Sequence, residues 1–377
     1  MQGDSIAVTG ASDAAQMGQA RRECKLRHSV RHGRQAEVVW RGVGVYCEGA
    51  RTSRMFPAMV SGLPFDDMRN LVRALPGADA LAEKGARTIV ERFATSSGGL
   101  GRAGEIAVWL AAWTGRPPRV LRPVVALFAG THGVAAGEAG DVRAFVERCA
   151  AGGSAVNQAC VAGDLGLKVF DLALDVPTAD VTREAALDER AVAATMAFGM
   201  EAIAGGADLL VLGGFGGRGG EVAAASVLAA LHGDMPLPDG PAERASVEAA
   251  LACHAGHLRD PLEVLRRVGG REIAALTGAI VAARMEKVAV ILDGAAAFAA
   301  AAVVAALEEG GIAHCMAGDG GGSGIADAAA ARLGLKPLVD LGFATGDAAG
   351  GAVAAGVVKA ATLVHAGAAE VARRGSH

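Results

Sequence analysis

The sequence of 377 residues contains few aromatic and few cysteine residues. It has one tyrosine, three tryptophans and six cysteines, and the cysteines form no Cys-x-x-Cys pair. The first twenty residues also lack the apolar core of a secretory signal peptide. Because unpaired, scattered cysteines are typical of proteins kept in a reducing compartment, we expect a cytoplasmic protein.

Long apolar runs and an excess of basic charge are also missing. Alanine-rich stretches such as 295–307 are too short, and too closely flanked by charge, to span a bilayer. The formal net charge is −4, and residues 1–55 carry nine basic but only five acidic residues, so the remaining chain is mildly acidic. That balance argues against a nucleic-acid groove. We expect neither nucleic acid nor a membrane as a partner.

Apolar residues and glycine are abundant instead. Hydrophobic residues make up 52% of the chain and charged residues 20%, which suits one large or two medium domains with a sizeable core. Glycine occurs 54 times without a three-residue period. This composition excludes a disordered or collagen-like chain.

Residues 1–58 form a basic extension with no sustained periodicity, including the run RECKLRHSVRHGRQ (22–35). Three interpretations compete: a solvated tail, a targeting segment, or translated upstream sequence before a true start at Met55 or Met59. The third is favoured, because regular sequence begins abruptly at MVSGLPFDDMRNLVRALP.

A helical region at about 65–115 precedes five apolar segments that predict strands. They lie at 123–129, 167–173, 208–214, 288–294 and 312–318, with segments of helical composition between them. Strands alternating with helices predict a three-layer α/β/α fold with a mostly parallel, Rossmann-like sheet. We expect three parts: the extension 1–58, a small helical domain of 59–118 with the C-terminal helix 353–372, and an α/β domain of 119–352.

Polar or glycine-rich segments follow four of these strands. They are Thr-His-Gly at 131–133 with its preceding Gly130, a glycine loop at 213–220 before a helix starting near Glu221, Asp-Gly at 293–294, and GDGGGSG at 318–324. Ligands of parallel sheets bind beyond the carboxyl ends of the strands, so these segments are expected to form one crevice. The candidate substrate- or phosphate-binding residues are Thr131, His132, Gly213, Phe215, Gly216, Gly217, Arg218, Gly219, Asp293 and Gly294.

Each candidate also has a structural explanation. The glycine loop suits either a phosphate cradle or a tight turn, since it matches neither the P-loop nor the dinucleotide spacing. His132 suits substrate positioning or an ordinary turn hydrogen bond, and Asp293 suits a ribose contact or, preferably, a helix cap. Ser323 reads as an N-cap rather than a nucleophile. His254 and His257, beside Cys253, lack a third ligand, so no metal and no cofactor are expected.

Several long stretches resemble nicotinate-nucleotide:dimethylbenzimidazole phosphoribosyltransferases of cobalamin lower-ligand synthesis, in their alphaproteobacterial form. The resemblance runs from about Met59 to Ala372. The matching stretches include SGLPFDDMRNLVRALPG, LGRAGEIAVWLAAWTGRPP, RPVVALFAGTHGV, AAGGSAVNQACVAGDLGLKVFDLALDVPT, ATMAFGMEAIAGGADLL, DPLEVLRRVGGREIAALTGAIVAARM and AAGVVKAA.

The resemblance implies transfer of phosphoribose from nicotinate mononucleotide to 5,6-dimethylbenzimidazole, giving α-ribazole 5'-phosphate, in a homodimer. It implies a late glutamate as general base, a second glutamate in the glycine loop, and backbone amides on the phosphate. A base is chemically required, because the attacking nitrogen must lose a proton as the glycosidic bond breaks.

This chain departs from the family pattern at those positions. Gly214 stands where the glycine loop of the family, GEMGIGNTT, has glutamate, and an ungapped match places Ser323 at the late glutamate. Ala144 replaces a glutamine, the phosphate loop GPGTG is reduced to PLPDGPAE (236–243), and RLGEGTGAA becomes FATGDAAGGA (343–352).

The stretches that match the family are retained, whereas the positions of its site are altered. Together these features favour an enzyme whose activity is weak or lost. The alternative is a non-catalytic paralogue that binds a nucleotide or base, or that partners an intact homologue. Glu221, Asp319 and Asp327 are the acids nearest to the changed positions. Restoring both carboxylates, by Ser323→Glu with Gly214→Glu, is expected to raise turnover.

Overall fold

The computed structural model describes residues 63–374 of the chain. The basic extension at 1–58, with its three interpretations, lies outside the described residues. Within them, the predicted helical region is confirmed as three helices: α1 (Pro64–Arg73), α2 (Ala80–Ser97) and α3 (Gly101–Thr114).

Six strands form the sheet. They are β1 (Pro123–Ala129), β2 (Gly166–Asp171), β3 (Leu209–Phe215), β4 (Ala289–Leu292), β5 (Cys315–Gly320) and β6 (Pro337–Asp340). Every neighbouring pair is parallel, and the strand order is β2-β1-β3-β4-β5-β6. The five predicted strands are thus present, with ends shifted by up to three residues, and β6 was not predicted.

Ten further helices connect the strands or follow them. They are α4 (Ala139–Ala150), α5 (Ala155–Gly163), α6 (Glu189–Gly199), α7 (Gly217–His232), α8 (Pro241–His254), α9 (Pro261–Val268), α10 (Arg271–Met285), α11 (Ala295–Leu307), α12 (Gly324–Arg332) and α13 (Ala349–Arg374). Short 3₁₀ helices lie at Gly133–Glu138, Met200–Ile203 and Ala255–His257.

Side chains of the central strands alternate between two hydrophobic layers. Phe128, Leu210 and Leu212 face a layer that includes α6, α7, α10 and α11, while Leu127 and Val211 face one built from α3, α4, α5 and α13. All five side chains are fully buried. Period-two alternation with apolar residues on both faces is what a parallel sheet between two helical layers requires. The predicted three-layer α/β/α fold is therefore confirmed.

The last helix, α13, is long and apolar enough to cross a membrane by length and composition alone. One of its faces, including Ala355 and Val358, is fully buried in the layer against the sheet, and the helix also packs on α2 and α3. Such packing is typical of a core helix of a globular protein. The separate helical domain of 59–118 with 353–372 stays a prediction.

Helices α6 and α10 approach so closely that glycine is required on both. A Cβ atom at Gly199 would overlap the backbone of Ala275, and one at Gly278 would overlap the backbone of Met196. Well-packed interiors tolerate inserted methyl groups poorly. The glycines therefore fix the distance between two helices of the larger core.

We predict that Gly278→Ala lowers the free energy of unfolding by about 1–3 kcal/mol, because its methyl group has no space. The matched control is Gly85→Ala in the exposed part of α2, where a Cβ atom would have no neighbour within 4 Å. That change should raise the free energy by about 0.5–1 kcal/mol, since glycine is unfavourable inside a helix. Urea unfolding measures both. Equal effects of the two changes would contradict the close approach.

Candidate active site

The four segments proposed to form a crevice follow β1, β3, β4 and β5, which are neighbours in the sheet. Their carboxyl ends lie at one edge, since Ala129 is in register with Phe215, and Leu292 with both Leu212 and Ala317. The strand order reverses between β1 and β3. The chain continues from β1 to β2 on one side of β1, and then crosses to β3 on the other side of β1. A topological switch point of this kind is where open α/β sheets bind ligands.

The predicted glycine loop at 213–220 is mostly not a loop. Gly213, Gly214 and Phe215 belong to β3, Gly216 is the N-cap residue, and α7 begins at Gly217 rather than near Glu221. The turn is therefore short, and Gly217 adopts a positive φ of 59° that favours glycine. Because the turn is short, the first amides of α7 lie directly at the end of β3.

Gly214 has no space for a longer side chain. A Cβ atom there would lie 2.9 Å from Ala296 Cβ and 3.0 Å from Leu276 Cδ1, closer than side-chain carbons approach. Glu272 Cγ would be 3.4 Å away. Gly214→Glu therefore requires Ala296 or Leu276 to shift, and its expected effect on turnover stays a prediction.

Two of the candidate ligand-binding side chains take part in packing. The Phe215 ring stacks on Phe145 of α4, with centroids 3.9 Å apart, and its carbonyl accepts a hydrogen bond from the Gly130 amide. The buried Thr131 hydroxyl donates to the Leu174 carbonyl at 3.1 Å. Contacts of either residue with a ligand stay a prediction.

His132 lies at the switch point and has a partner that the sequence analysis missed. Its Nε2 atom is 2.9 Å from Oε1 of Glu272, and both side chains are buried. Burial by itself would raise the pKa of Glu272, but the electrostatic interaction and hydrogen bond with His132, with the backbone amide of Glu272 itself, lower it. Glu272 is the second residue of α10, where acidic residues commonly stabilise a helix N-terminus, so nothing in its sequence context indicated a site.

A cavity of about 540 Å³ opens beside the first turn of α7. Three carboxylates line it, from Glu138, Asp141 and Glu243, together with the guanidinium of Arg218. Arg218 forms ion pairs with Glu138 and, at 3.4 Å, with Glu243. Its positive charge is therefore already matched within the protein.

Glu138 also occupies part of the helix N-terminus. Its Oε2 atom accepts a hydrogen bond from the Arg218 amide at 3.2 Å. Amides in the first turn of a helix are the groups that bind phosphate in other α/β proteins. One amide of the predicted phosphate cradle is thus bonded to a carboxylate of the chain itself.

Asp293 does not cap the following helix, contrary to expectation. The N-cap residue of α11 is Gly294, and no side chain caps this end. Asp293 is buried instead beneath the N-terminal part of α13, where a Cβ atom at Gly351 would lie 2.9 Å from Asp293 Cβ. The cap expectation failed because the chain turns sharply at Gly294, which has a positive φ of 83°.

Ser323 lies at the N-cap of α12, as predicted, but its hydroxyl makes no capping bond. The two acids nearest to it have structural partners. Asp319 accepts hydrogen bonds from the amides of Leu341 and Phe343 at 2.6 and 2.7 Å, and both oxygens of Asp327 accept from the Gly321 amide. Both carboxylates therefore hold backbone at this end of the crevice.

The histidines considered as metal ligands are not brought together with other ligands. His254 is buried, with Nε2 bonded to the Val181 carbonyl at 3.0 Å. Across residues 63–374, no three His, Cys, Asp or Glu side chains are arranged to hold a metal ion.

Comparison with known proteins identifies the family of the chain. The sequence model of a phosphoribosyltransferase family matches residues 75–375. The chain belongs to this family.

Similar members of the phosphoribosyltransferase family match this chain over almost their entire length. The nicotinate-nucleotide–dimethylbenzimidazole phosphoribosyltransferases of Sinorhizobium fredii and Rhizobium meliloti are each 52% identical over 330 residues, covering 84% of this chain and 98% of theirs. A crystal structure of the enzyme of that name from Thermus thermophilus superposes with a TM-score of 0.68 and 29% identity, over 76% of this chain and 96% of that one.

We predict that Asp293 makes stability depend on pH. Burial raises the pKa of Asp293 to about 7, and the nearby Asp319 and Asp347 carboxylates add to the rise. Because the folded chain holds the proton more tightly than the unfolded chain, this stabilisation is complete below pH ~4 and is lost as the pH rises through 7.

The free energy of unfolding should therefore fall by roughly 3–4 kcal/mol from pH 4 to pH 8 through this group. Asp293→Asn should remove that slope, while Asp234→Asn, at an exposed position, should leave it. Urea unfolding across this pH range measures the difference. An unchanged slope in Asp293→Asn would contradict the assignment.

Proposed function

We propose that this chain is a nicotinate-nucleotide:dimethylbenzimidazole phosphoribosyltransferase of cobalamin lower-ligand synthesis whose turnover is weak or lost. The reaction would transfer phosphoribose from nicotinate mononucleotide to 5,6-dimethylbenzimidazole, giving α-ribazole 5'-phosphate. The observation that carries the proposal is the 52% identity over 98% of the Sinorhizobium fredii enzyme, combined with a glycine turn at the switch point of the sheet.

The geometry supports binding of the phosphate and of the ribose by different segments of the crevice. The amides of Gly217 to Gly219, at the start of α7, would hold the phosphate, and the end of β4 at Asp293 and Gly294 would lie toward the ribose. Gly213 and Gly216 keep the strand end and the turn close to their neighbours, because Cβ atoms there would lie 2.7 Å from Ala348 Cβ and from His132 Nε2.

The missing element is a carboxylate able to take the proton from the benzimidazole nitrogen. Gly214 and Ser323 stand at the two glutamate positions, and Asp319 and Asp327 are engaged with backbone amides. Glu221 lies on the second turn of α7, where burial, then Glu243 and Asp239, raise its pKa. Loss of a general base reduces a rate by about 10²–10⁴, which supports weak or absent turnover.

The competing function is a non-catalytic paralogue that binds a nucleotide or base, or that partners an intact homologue. The pairing of Arg218 with Glu138 and Glu243 favours its base-binding or partner form, because an acidic cavity is a poor site for a phosphate dianion. The two functions differ in turnover and in the need for a partner chain.

We also propose a cytoplasmic homodimer that binds neither nucleic acid nor membrane. Exposed apolar side chains on α13, at Leu363, Val364 and Val371, support burial of this surface against a second chain.

The deciding experiment combines calorimetry and turnover on one sample. Nicotinate mononucleotide is titrated into the purified full chain, and α-ribazole 5'-phosphate formation is followed with the Sinorhizobium fredii enzyme as reference. Binding with turnover reduced about 10²-fold or more is the expected result. Binding without turnover would favour the paralogue. The absence of both binding and turnover would overturn the substrate assignment.

We predict that Ser323→Glu by itself raises turnover, because position 323 is half-exposed at the N-cap of α12, shortly after β5 ends. A gain of about 10-fold or more is expected from a base that is only partly positioned. Ser323→Gln is the control, since it has the same size and cannot accept the proton. Equal gains from both substitutions would contradict the placement of the base.

We predict that Glu138→Gln strengthens binding of nicotinate mononucleotide about 2- to 10-fold, because it frees Arg218 and its amide from a competing carboxylate. Asp141→Asn is the matched control: it removes the same charge from the same cavity without touching Arg218. Calorimetry at one ionic strength compares them. If Asp141→Asn gave the larger gain, direct competition by Glu138 would be excluded.

A further inference from the structure

The His132–Glu272 pair is completely enclosed and incompletely bonded. The exposed fractions of the two side chains are 1% and 0%, and Nε2 of His132 and Oε1 of Glu272 bond to each other. The other two polar atoms, His132 Nδ1 and Glu272 Oε2, have no hydrogen-bond partner in the described chain. Unsatisfied polar atoms at such a depth are uncommon in native proteins and usually have a functional explanation.

Glycines make the space that the pair occupies. A Cβ atom at Gly130 would lie 2.5 Å from Glu272 Oε2, and one at Gly270 would lie 2.6 Å from the same atom. Both backbones therefore pass within contact distance of the carboxylate. Side chains at either position would displace it.

The pair also lies directly beneath the turn that begins α7. A Cβ atom at Gly216 would lie 2.7 Å from His132 Nε2, one at Gly219 2.6 Å from His132 Cβ, and one at Gly220 3.6 Å from Glu272 Oε1. The glycine backbone of the turn is therefore in close contact with the pair. Its charge is therefore felt at the place where a phosphate would bind.

The net charge of the His132–Glu272 pair affects the binding of a phosphate at the turn. With a neutral imidazole the pair carries one negative charge, which opposes a phosphate at the turn. With a protonated imidazole the pair is neutral overall, and the repulsion is removed. Histidine is the side chain whose charge changes most readily near neutral pH.

We propose that His132 and Glu272 are a positioning pair that takes up a proton when a phosphate monoester binds at the turn 215–220. This inference rests on the phosphate position of the proposed function. The pair does not touch the ligand; it sets the conformation and charge of the turn that does.

Other charged groups around the imidazole do not supply the same linkage. On α10, Arg271 donates to the Val176 carbonyl, and on the outer side of the turn Arg218 and Glu138 bond to each other. Behind Gly133, the Asp180 carboxylate accepts from Thr182. The charged residues on the elements packed around His132 thus include Glu272, Arg271, Arg218, Glu138 and Asp180, and Glu221 lies on the second turn of α7.

The test is calorimetric titration of nicotinate mononucleotide at pH 8, repeated in buffers of different ionisation enthalpy. The dependence of the observed enthalpy on the buffer gives the number of protons taken up. We expect about one proton per bound nucleotide in the unmodified chain, and close to none in Glu272→Gln, which keeps the size and a hydrogen bond but not the charge. His132→Gln should behave in the same way.

The matched control is His365→Gln. His365 is likewise buried, but its Nε2 atom faces the Ala86 carbonyl on α2, so proton uptake should persist. Nucleotide binding without proton uptake in the unmodified chain overturns the inference and needs no variant to fold. Uptake that survives in Glu272→Gln also overturns it.

Inorganic phosphate separates this inference from the proposed function. If nicotinate mononucleotide does not bind but inorganic phosphate binds with proton uptake, the substrate assignment fails and the pair retains its role. If neither binds, both fail.

Discussion

At the carboxyl edge of the sheet, glycine backbones from separate segments lie in direct contact. A Cβ atom at Gly213 would lie 3.0 Å from the Gly346 carbonyl, and Gly294 meets the Cα atom of Gly346. These contacts let the segment before α13 cross the ends of β3 and β4. They also fix where α13 begins, and with it the layer that α13 forms against the sheet.

The same close packing determines which chemistry the edge can carry. Where backbones touch, side chains are excluded, so the groups presented to a ligand are mainly amides and carbonyls. Those amides suit a phosphate. They cannot remove a proton, and several of the carboxylates nearby are buried, as in Asp293 and Glu272, or bonded to the chain, as in Asp319. Phosphate binding and proton transfer therefore require different groups at this edge of the sheet.

Much of the scaffold was predictable because buried parallel strands are apolar runs. The run PVVALFA predicted β1 to the residue, whereas β6, with only four residues and one buried side chain, gave no comparable signal. Helix bounds near Gly217 were missed because glycine is compatible with strand, turn and helix alike. The local composition therefore could not place the boundary.

The contacts of the site were less predictable than its location. Topology rules placed four segments at one edge, but Glu272 is 140 residues away from His132 in sequence, and no local pattern connects them. The pairing of Arg218 with Glu138 and Glu243 likewise depends on how the 3₁₀ helix and α8 are placed in space. The resemblance identified which side chains were absent, and it could not identify which of the remaining ones had become neighbours.

The distribution of charge around the turn that begins α7 determines the electrostatic properties of this site. Outside the turn, two carboxylates neutralise the cation that could attract a phosphate, and one of them also bonds a helix amide. Inside the turn, a buried carboxylate is balanced only to the extent that its histidine is charged. Anion binding at this edge therefore has to overcome negative groups on both sides of a single turn of backbone. Protonation and pairing of these few charged groups therefore determine how strongly this edge of the sheet repels an anion.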